Sequence, residues 1–522
     1  MATTSCRSPA AALLLLLLAA AVIGARSAIH RYEGSAFLPA GHDTAVFRGG
    51  REGLFASAPP SEVSAGLHTV SREAADGQSF IRLSKVVFER PAAVARRYRA
   101  LDGETGFVDA LVFEVGDREL VGHVEEDGSH RFCCTPQLAA KIRCTPGHVI
   151  VKPQPQKGRS TPWVESVVFR GNDTEAHGLG TAALPISETG MYHLWFVACG
   201  AELAEVRVEG LTTWKNPHGY LPGMMASYMP FFGYMSIAFL SLGAAWLALY
   251  CYNWRDVIPL QHCVTALIFL GMMEMSTWYF DFVNFNTTGL RPVVTTLWAV
   301  MFGSLRKTVA RMLVLVVSMG YGVVKPTLGG LTNKVWSLGL AYFVACIALD
   351  MVTHVGTVDD LPSMARVVLV LPVAVLDAVV ILWIFSSLSK TLTQLGARKQ
   401  TVKLQLYRNF TNTLAIAVWI SICWIAYELY FKFNDSEHTE KWEFYWVTDA
   451  FWQVLSFGVL LVICILWRPS HNSQCYAYTE ADAAEEEMGE AGGAVGKGDA
   501  EQGTINTDVF SIEEEPEESK MA

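Results

Sequence analysis

The chain has 522 residues, of which 51% are hydrophobic and only 17% charged, with a net charge of −10. So many apolar residues with so few charges exclude an ordinary soluble enzyme, and the acidic balance gives no basic surface for a nucleic acid. Residues 30–218 have a mixed composition, residues 225–467 are dominated by long apolar runs, and residues 475–522 are polar.

In chain order, Arg7 precedes an apolar run from Ala10 to Ile23, and Ala25-Arg26-Ser27 offers a small-x-small cleavage site. This is the pattern of a signal peptide over residues 1–27, and the run is short for a membrane anchor. The domain that follows, residues 28–218, is then expected to be lumenal or extracellular, where disulfides persist. It holds Cys133, Cys134, Cys144 and Cys199. Adjacent cysteines rarely pair with each other, which leaves two arrangements, with Cys133 and Cys134 each taking either Cys144 or Cys199. His130 and His148 lie near these cysteines and make a metal site the alternative, which an oxidising compartment disfavours. Short β-rich runs at Ser79–Phe88, Phe107–Val115, Trp163–Arg170 and Met191–Val197 predict an all-β sandwich, with a helix near Pro91–Ala100. Alternation continues through Ala204–Glu209. No catalytic motif is present, so neither an enzyme nor a cofactor or metal site is expected.

Seven membrane spans follow within residues 219–470, at about Met229–Tyr250, Leu260–Phe280, Val293–Val316, Val335–His354, Val367–Ser387, Thr413–Phe431 and Trp446–Trp467. Lys390, Arg398, Lys399, Lys403 and Arg408 crowd the loop between spans five and six, whereas Asp435, Glu437, Glu440 and Glu443 lie between six and seven. The positive-inside rule puts the N-terminus in the lumen and the C-terminus in the cytosol. Glycosylation acceptors at Asn172, Asn286 and Asn434 fall on the predicted lumenal side, and the one at Asn409 on the cytosolic side. The Lys390–Arg408 stretch is amphipathic. It reads equally as a helix on anionic lipid or as an extension of its flanking helices. The tail, residues 471–522, has acidic runs at Glu485–Glu487 and Glu513–Glu515, is expected to be disordered, and offers a contact for trafficking adaptors.

Several charges fall inside the spans, where ionisable groups usually face an interior and pair with one another. Glu274 and Asp281 lie seven residues apart on one helical face, with Trp278 between them. Span three carries Ser304, Lys307 and Arg311 along a stripe, with Arg306 beside it, and span five carries Asp377. Glu428 and Asp449 lie near the lumenal ends of spans six and seven. The expectation is a polar cavity open toward the lumen, with acids around the span-three cations. A sealed structural brace is the competing reading. Glycines in Ser318–Gly322 and Pro326–Gly330 suggest close packing and a turn.

Seven spans suggest a G-protein-coupled receptor. However, span three ends in SMGYGVVKPTLGG rather than an Asp/Glu-Arg-Tyr element, and span seven lacks Asn-Pro-x-x-Tyr. The blocks WRDVIPLQ (Trp254–Gln261), EMSTWYFDF (Glu274–Phe282), NTTGLRP (Asn286–Pro292) and SMGYGVVKPTLGGLT (Ser318–Thr332) instead resemble the lung seven-transmembrane receptor family, within it the transmembrane protein 87 group. LPVAVLDA (Leu371–Ala378), YELYFK (Tyr427–Lys432) and AFWQVLSF (Ala450–Phe457) add to the resemblance. The first domain matches through its position, YHLWFVACG (Tyr192–Gly200) and its late cysteine.

The resemblance implies a lumenal GOLD-like all-β sandwich on a seven-helix transmembrane bundle. It also implies residence in the Golgi or endosomal system and similarity to Wnt carriers. Two roles come with it: a trafficking chaperone or receptor for membrane-protein or lipidated cargo, and a cation conductance affecting Golgi pH. For members proposed as conductances, motif match carries acidic and basic positions onto Glu274, Arg306 and Asp449. Partners implied are membrane lipids and secretory cargo, whereas adaptor binding rests on the acidic tail and does not carry over from the resemblance.

Overall fold

The structure is a computed structural model. It describes residues 28–469 apart from residues 42–43, 58–76, 99–102, 125–129, 153–161, 180–182, 204, 322–328, 355–362 and 435–440. The expected signal peptide, most of the second glycine block, most of the acidic loop expected between spans six and seven, and the tail therefore lie outside the described residues.

Two antiparallel five-stranded sheets build the first domain, with a separate two-stranded ribbon of β6 (His123–Val124) and β7 (His130–Arg131). One runs β1 (Ile29–Ala36), β12 (Arg207–Lys215), β4 (Phe80–Glu89) and β10 (Ala183–Pro185), with β9 (Glu175–His177) also pairing β4. The other runs β2 (Leu38–Pro39), β3 (Thr44–Leu54), β11 (Gly190–Cys199), β5 (Glu104–Glu114) and β8 (Trp163–Arg170). Side chains alternate across a strand, and the inward set from both sheets, including Phe88, Val108, Val112, Phe169, Phe196 and Trp214, forms one core. The expected helix is present at Ala92–Arg97.

Strand β5 departs from simple alternation because it is buried on both faces. Val108, Ala110 and Val112 face the sandwich core, while Leu111 and Phe113 lie beneath a flap that includes Val121, Phe132 and Val149. Two disulfides, Cys133–Cys199 and Cys134–Cys144, choose between the pairings left open by the sequence. The first ties the flap to β11 and the second closes a ten-residue loop within it. His148, considered above as a metal ligand, instead reaches Asp109 Oδ1 at 3.1 Å, and Ser166 Oγ donates to the same oxygen at 2.6 Å.

Seven long helices follow: α1 (Tyr228–Tyr252), α2 (Pro259–Thr288), α3 (Val293–Ser318), α4 (Thr332–His354), α5 (Ser363–Ala397), α6 (Thr401–Asn434) and α7 (Tyr445–Leu466). Six are long and apolar enough to cross a membrane by composition. The remaining one, α3, carries Arg306, Lys307 and Arg311, yet it packs against α2, α4 and α5 inside the bundle. Buried Phe239, Met275, Trp278, Phe282 and Phe285 belong to the bundle core. The Lys390–Arg408 stretch is an extension of α5 and α6, with Lys399 at φ 53° in the turn. Thr391 Oγ1 donates to Ser318 O at 2.9 Å and Tyr407 Oη to Val317 O at 3.0 Å, so this hairpin passes the end of α3 and projects beyond it.

Sandwich and bundle are joined by a specific polar seam. Asn286, in the last turn of α2, accepts from Leu221 N at 3.1 Å and donates to His218 O at 2.8 Å. Asn216 donates to Leu221 O at 3.0 Å and accepts from Phe55 N at 2.9 Å. Gly219 has φ +138° and lies against the Asn286 carboxamide, so a side chain there would be both strained and blocked. Trp442, just before α7, fills the adjoining space, and a Cβ at Gly53 would meet its ring at 2.6 Å.

Candidate functional site

Successive residues on a helix are rotated by about 100°, which decides where each α3 cation goes. Ser304, Lys307 and Arg311 share a stripe facing α4 and α5, and Arg306 turns to α2 and α7. Nε of Arg306 donates to Glu274 Oε2, and the guanidinium also donates to Ser456 Oγ at 2.8 Å and Gln453 Oε1 at 2.6 Å. The Arg306 and Glu274 side chains are 4% and 1% exposed, so this is a dry ion pair joining three helices. Gly303 makes room for it, since a Cβ there would stand 2.9 Å from Glu274 Oε1.

Lys307 Nζ lies 2.9 Å from Asp350 Oδ2 on α4, which also accepts from Ser304 Oγ at 2.8 Å. Arg311 Nε donates to Asp377 Oδ1 on α5 at 2.9 Å, and Tyr342 Oη donates to the same oxygen at 3.0 Å. These two pairs are more open, with Lys307 39% and Arg311 47% exposed. Each α3 cation therefore meets its own carboxylate from a different helix. Charges this deep are costly unless paired, and the pairing lets a cationic helix occupy the bundle.

A separate node lies at the sandwich end. Asp281, fully buried, receives Arg291 Nε at 3.0 Å, Thr295 Oγ1 at 2.7 Å and Thr296 Oγ1 at 2.8 Å. The Arg291 guanidinium also sits over the Trp278 and Phe282 rings.

The structure thus brings Glu274 and Asp377 to the α3 cations as expected, and places Asp281 elsewhere. Asp449 accepts from Tyr228 Oη on α1 and is not among the hydrogen-bond partners of the α3 cations. Glu428, half-buried on α6, makes its contacts outside this ladder. Sequence reasoning missed Asp350, Arg291, Tyr342, Ser456 and Gln453. Asp350 carried a usable signal, being an acid four residues inside span four, comparable to Asp377 in span five. Ser456 and Gln453 carried none, because neutral polar residues in a span do not declare a partner.

An aromatic cleft of about 280 Å³ opens between α6 and α7 near the sandwich. Trp424, Tyr427, Phe431, Phe444 and Val447 line it, with Lys441 at its rim. Of the acceptor asparagines, Asn172 is exposed after β8, Asn286 belongs to the seam, Asn434 ends α6, and Asn409 lies near the opposite end of α6.

Residues 227–474 match the family described as GOST, seven transmembrane domain. The chain is 38% identical over 266 residues to transmembrane protein 87A of Xenopus tropicalis, covering 51% of this chain and 48% of that protein. It is 38% identical over 263 residues to transmembrane protein 87B of Mus musculus, covering 50% and 47%. It is 25% identical over 318 residues to membrane protein PTM1 of Saccharomyces cerevisiae, covering 58% of each. The chain spans about half the length of the transmembrane protein 87 relatives it matches. A β-sandwich followed by seven long helices, with the helical half similar to the GOST seven-transmembrane domain and to transmembrane proteins 87A and 87B, describes a multi-pass membrane protein that resembles that family.

Proposed function

We propose that this protein acts in Golgi–endosomal membrane traffic as a receptor or chaperone for membrane-protein or lipidated cargo, with the sandwich lumenal and the C-terminus cytosolic. The observation that carries this reading is the aromatic cleft between α6 and α7, beside the sandwich. It is a mostly apolar concavity lined by aromatic rings, which suits an acyl chain or an apolar helix face. The closed ion pairs of α3 support the same reading, because cations held by carboxylates brace the interior. The orientation rests on the basic residues near the α5–α6 turn. The resemblance to the transmembrane protein 87 group supports the Golgi–endosomal compartment.

A cation conductance affecting Golgi pH is the second reading. Its support is that Glu274 and Arg306, two of the positions the resemblance implies for conductance, form a nearly inaccessible ion pair. Purified protein in liposomes separates the two. Currents abolished by Glu274→Gln, with the protein still folded, favour the conductance. Absence of current, together with mis-sorted Golgi cargo on deletion of the gene, favours the cargo role.

A further inference from the structure

The end of the bundle away from the sandwich carries a one-sided charge. Arg255, Lys334, Lys390, Lys399, Arg408 and Arg468 are exposed there, and Asp256 is the acid at that end among the described residues. Residues 470–522 hold fourteen Asp and Glu against two Lys. Where that segment begins is fixed: Trp467 O accepts from Gln261 Nε2 at 3.1 Å, Pro469 O accepts from Asn253 Nδ2 at 3.3 Å, and the Trp467 ring meets Phe410 at 5.0 Å. The acidic segment thus starts at the same end, beside the base of the α5–α6 hairpin. We propose that this segment docks onto the cationic end of its own bundle, with the hairpin tip around Lys399 as its main contact.

Geometry permits this. At about 1.5 Å per residue, Lys399 stands roughly 17 Å along α6 from Phe410. A flexible chain of the sixteen residues from Pro469 to Glu485 has a root-mean-square span of about 22 Å. A segment tethered at that distance experiences an effective concentration on the order of millimolar, so weak ion pairs suffice. Anionic lipid is the competing partner. The hairpin tip, however, stands about 12 Å past the bonds that Thr391 and Tyr407 make to the end of α3. That exceeds a Debye length of about 8 Å at physiological ionic strength. Docking would cover the acidic runs that an adaptor would read, so the two contacts would compete. The proposal does not depend on the cargo reading.

The test uses the full chain in nanodiscs of phosphatidylcholine, treated with a zero-length carbodiimide and mapped by mass spectrometry. Lys390 and Lys399 are expected to form amides with Glu485–Glu487 or Glu513–Glu518. The yield should fall several-fold in about 1 M salt, where the Debye length is near 3 Å. Salt leaves the carboxylates and lysines available to the reagents, so loss of the links there reports loss of the ion pairing. Three results would overturn the proposal: no such links while both lysines react with a small acylating reagent, links only between isotopically distinct copies, or links that vanish when phosphatidylserine is added to the bilayer.

Discussion

The Arg306–Glu274 pair makes the sharpest quantitative test of the brace. Both side chains are nearly inaccessible, so Glu274→Leu leaves a guanidinium in the bundle with only the neutral Ser456 and Gln453 as partners. Breaking a buried pair from one side costs about 3–5 kcal/mol, because the remaining charge is uncompensated. Arg306→Leu has the same consequence for the carboxylate. Changing both together removes both desolvation penalties, and a well-packed apolar replacement of a buried pair is often close to neutral. The double variant should therefore be far less destabilised than the sum of the singles, with a coupling of at least about 2 kcal/mol. The assay is reversible unfolding of the purified protein in mixed micelles, run on wild type, both singles and the double variant. Additive losses, or a double variant worse than either single, would refute a pair that is dry and energetically coupled. The second pair repeats the logic: Lys307→Met leaves the mostly buried Asp350 with only Ser304 Oγ and should also destabilise, by more than the double change that removes Asp350 as well.

Further predictions address the packing around this pair, the seam and the flap. Gly303→Ala crowds Glu274 Oε1 and should lower stability by about 1–3 kcal/mol in the same assay. Asn286→Ala leaves His218 O and Leu221 N without their partner and should cost about 1–3 kcal/mol, read as increased protease nicking near residue 220. Loop entropy assigns about 4 kcal/mol to the Cys133–Cys199 bridge, whose cysteines have a sequence separation of 66, and about 3 kcal/mol to Cys134–Cys144, with a separation of 10. Cys199→Ser should therefore lower the melting temperature more than Cys144→Ser. Desolvation beside Phe55 holds the His218 imidazole below its ordinary value, against an opposing backbone contact from Leu221. A lowered folded pKa makes the neutral form the stable one. The seam should hold above about pH 6.5 and weaken as pH falls below it, and His218→Gln should flatten that dependence in pH-stepped protease nicking.

How much was legible depends on how local the signal is. Helix and strand positions follow from hydrophobic periodicity, which is why β8 falls on Trp163–Arg170 and α3 begins at Val293, as expected. The double burial of β5 was not legible, because nothing in the residues that follow the strand declares that they fold back over it as a flap. The disulfide alternatives narrowed to two by local geometry, but only the proximity of Cys133 to β11 chose between them.

The ion pairs show the same division. By itself the sequence determined that the bundle must hold charge: Arg306, Lys307 and Arg311 lie inside a 26-residue helix, and bare charge is not tolerated at that depth. It also determined their directions relative to one another, since helical rotation separates Arg306 from the Lys307 stripe. Only the tertiary structure decided the partners. Asp350 replaced Asp449 in the expected set because α4, not α7, packs beside that stripe. Partner choice depends on which helix faces which. That is settled by packing of the whole bundle rather than by the spacing of residues along one segment.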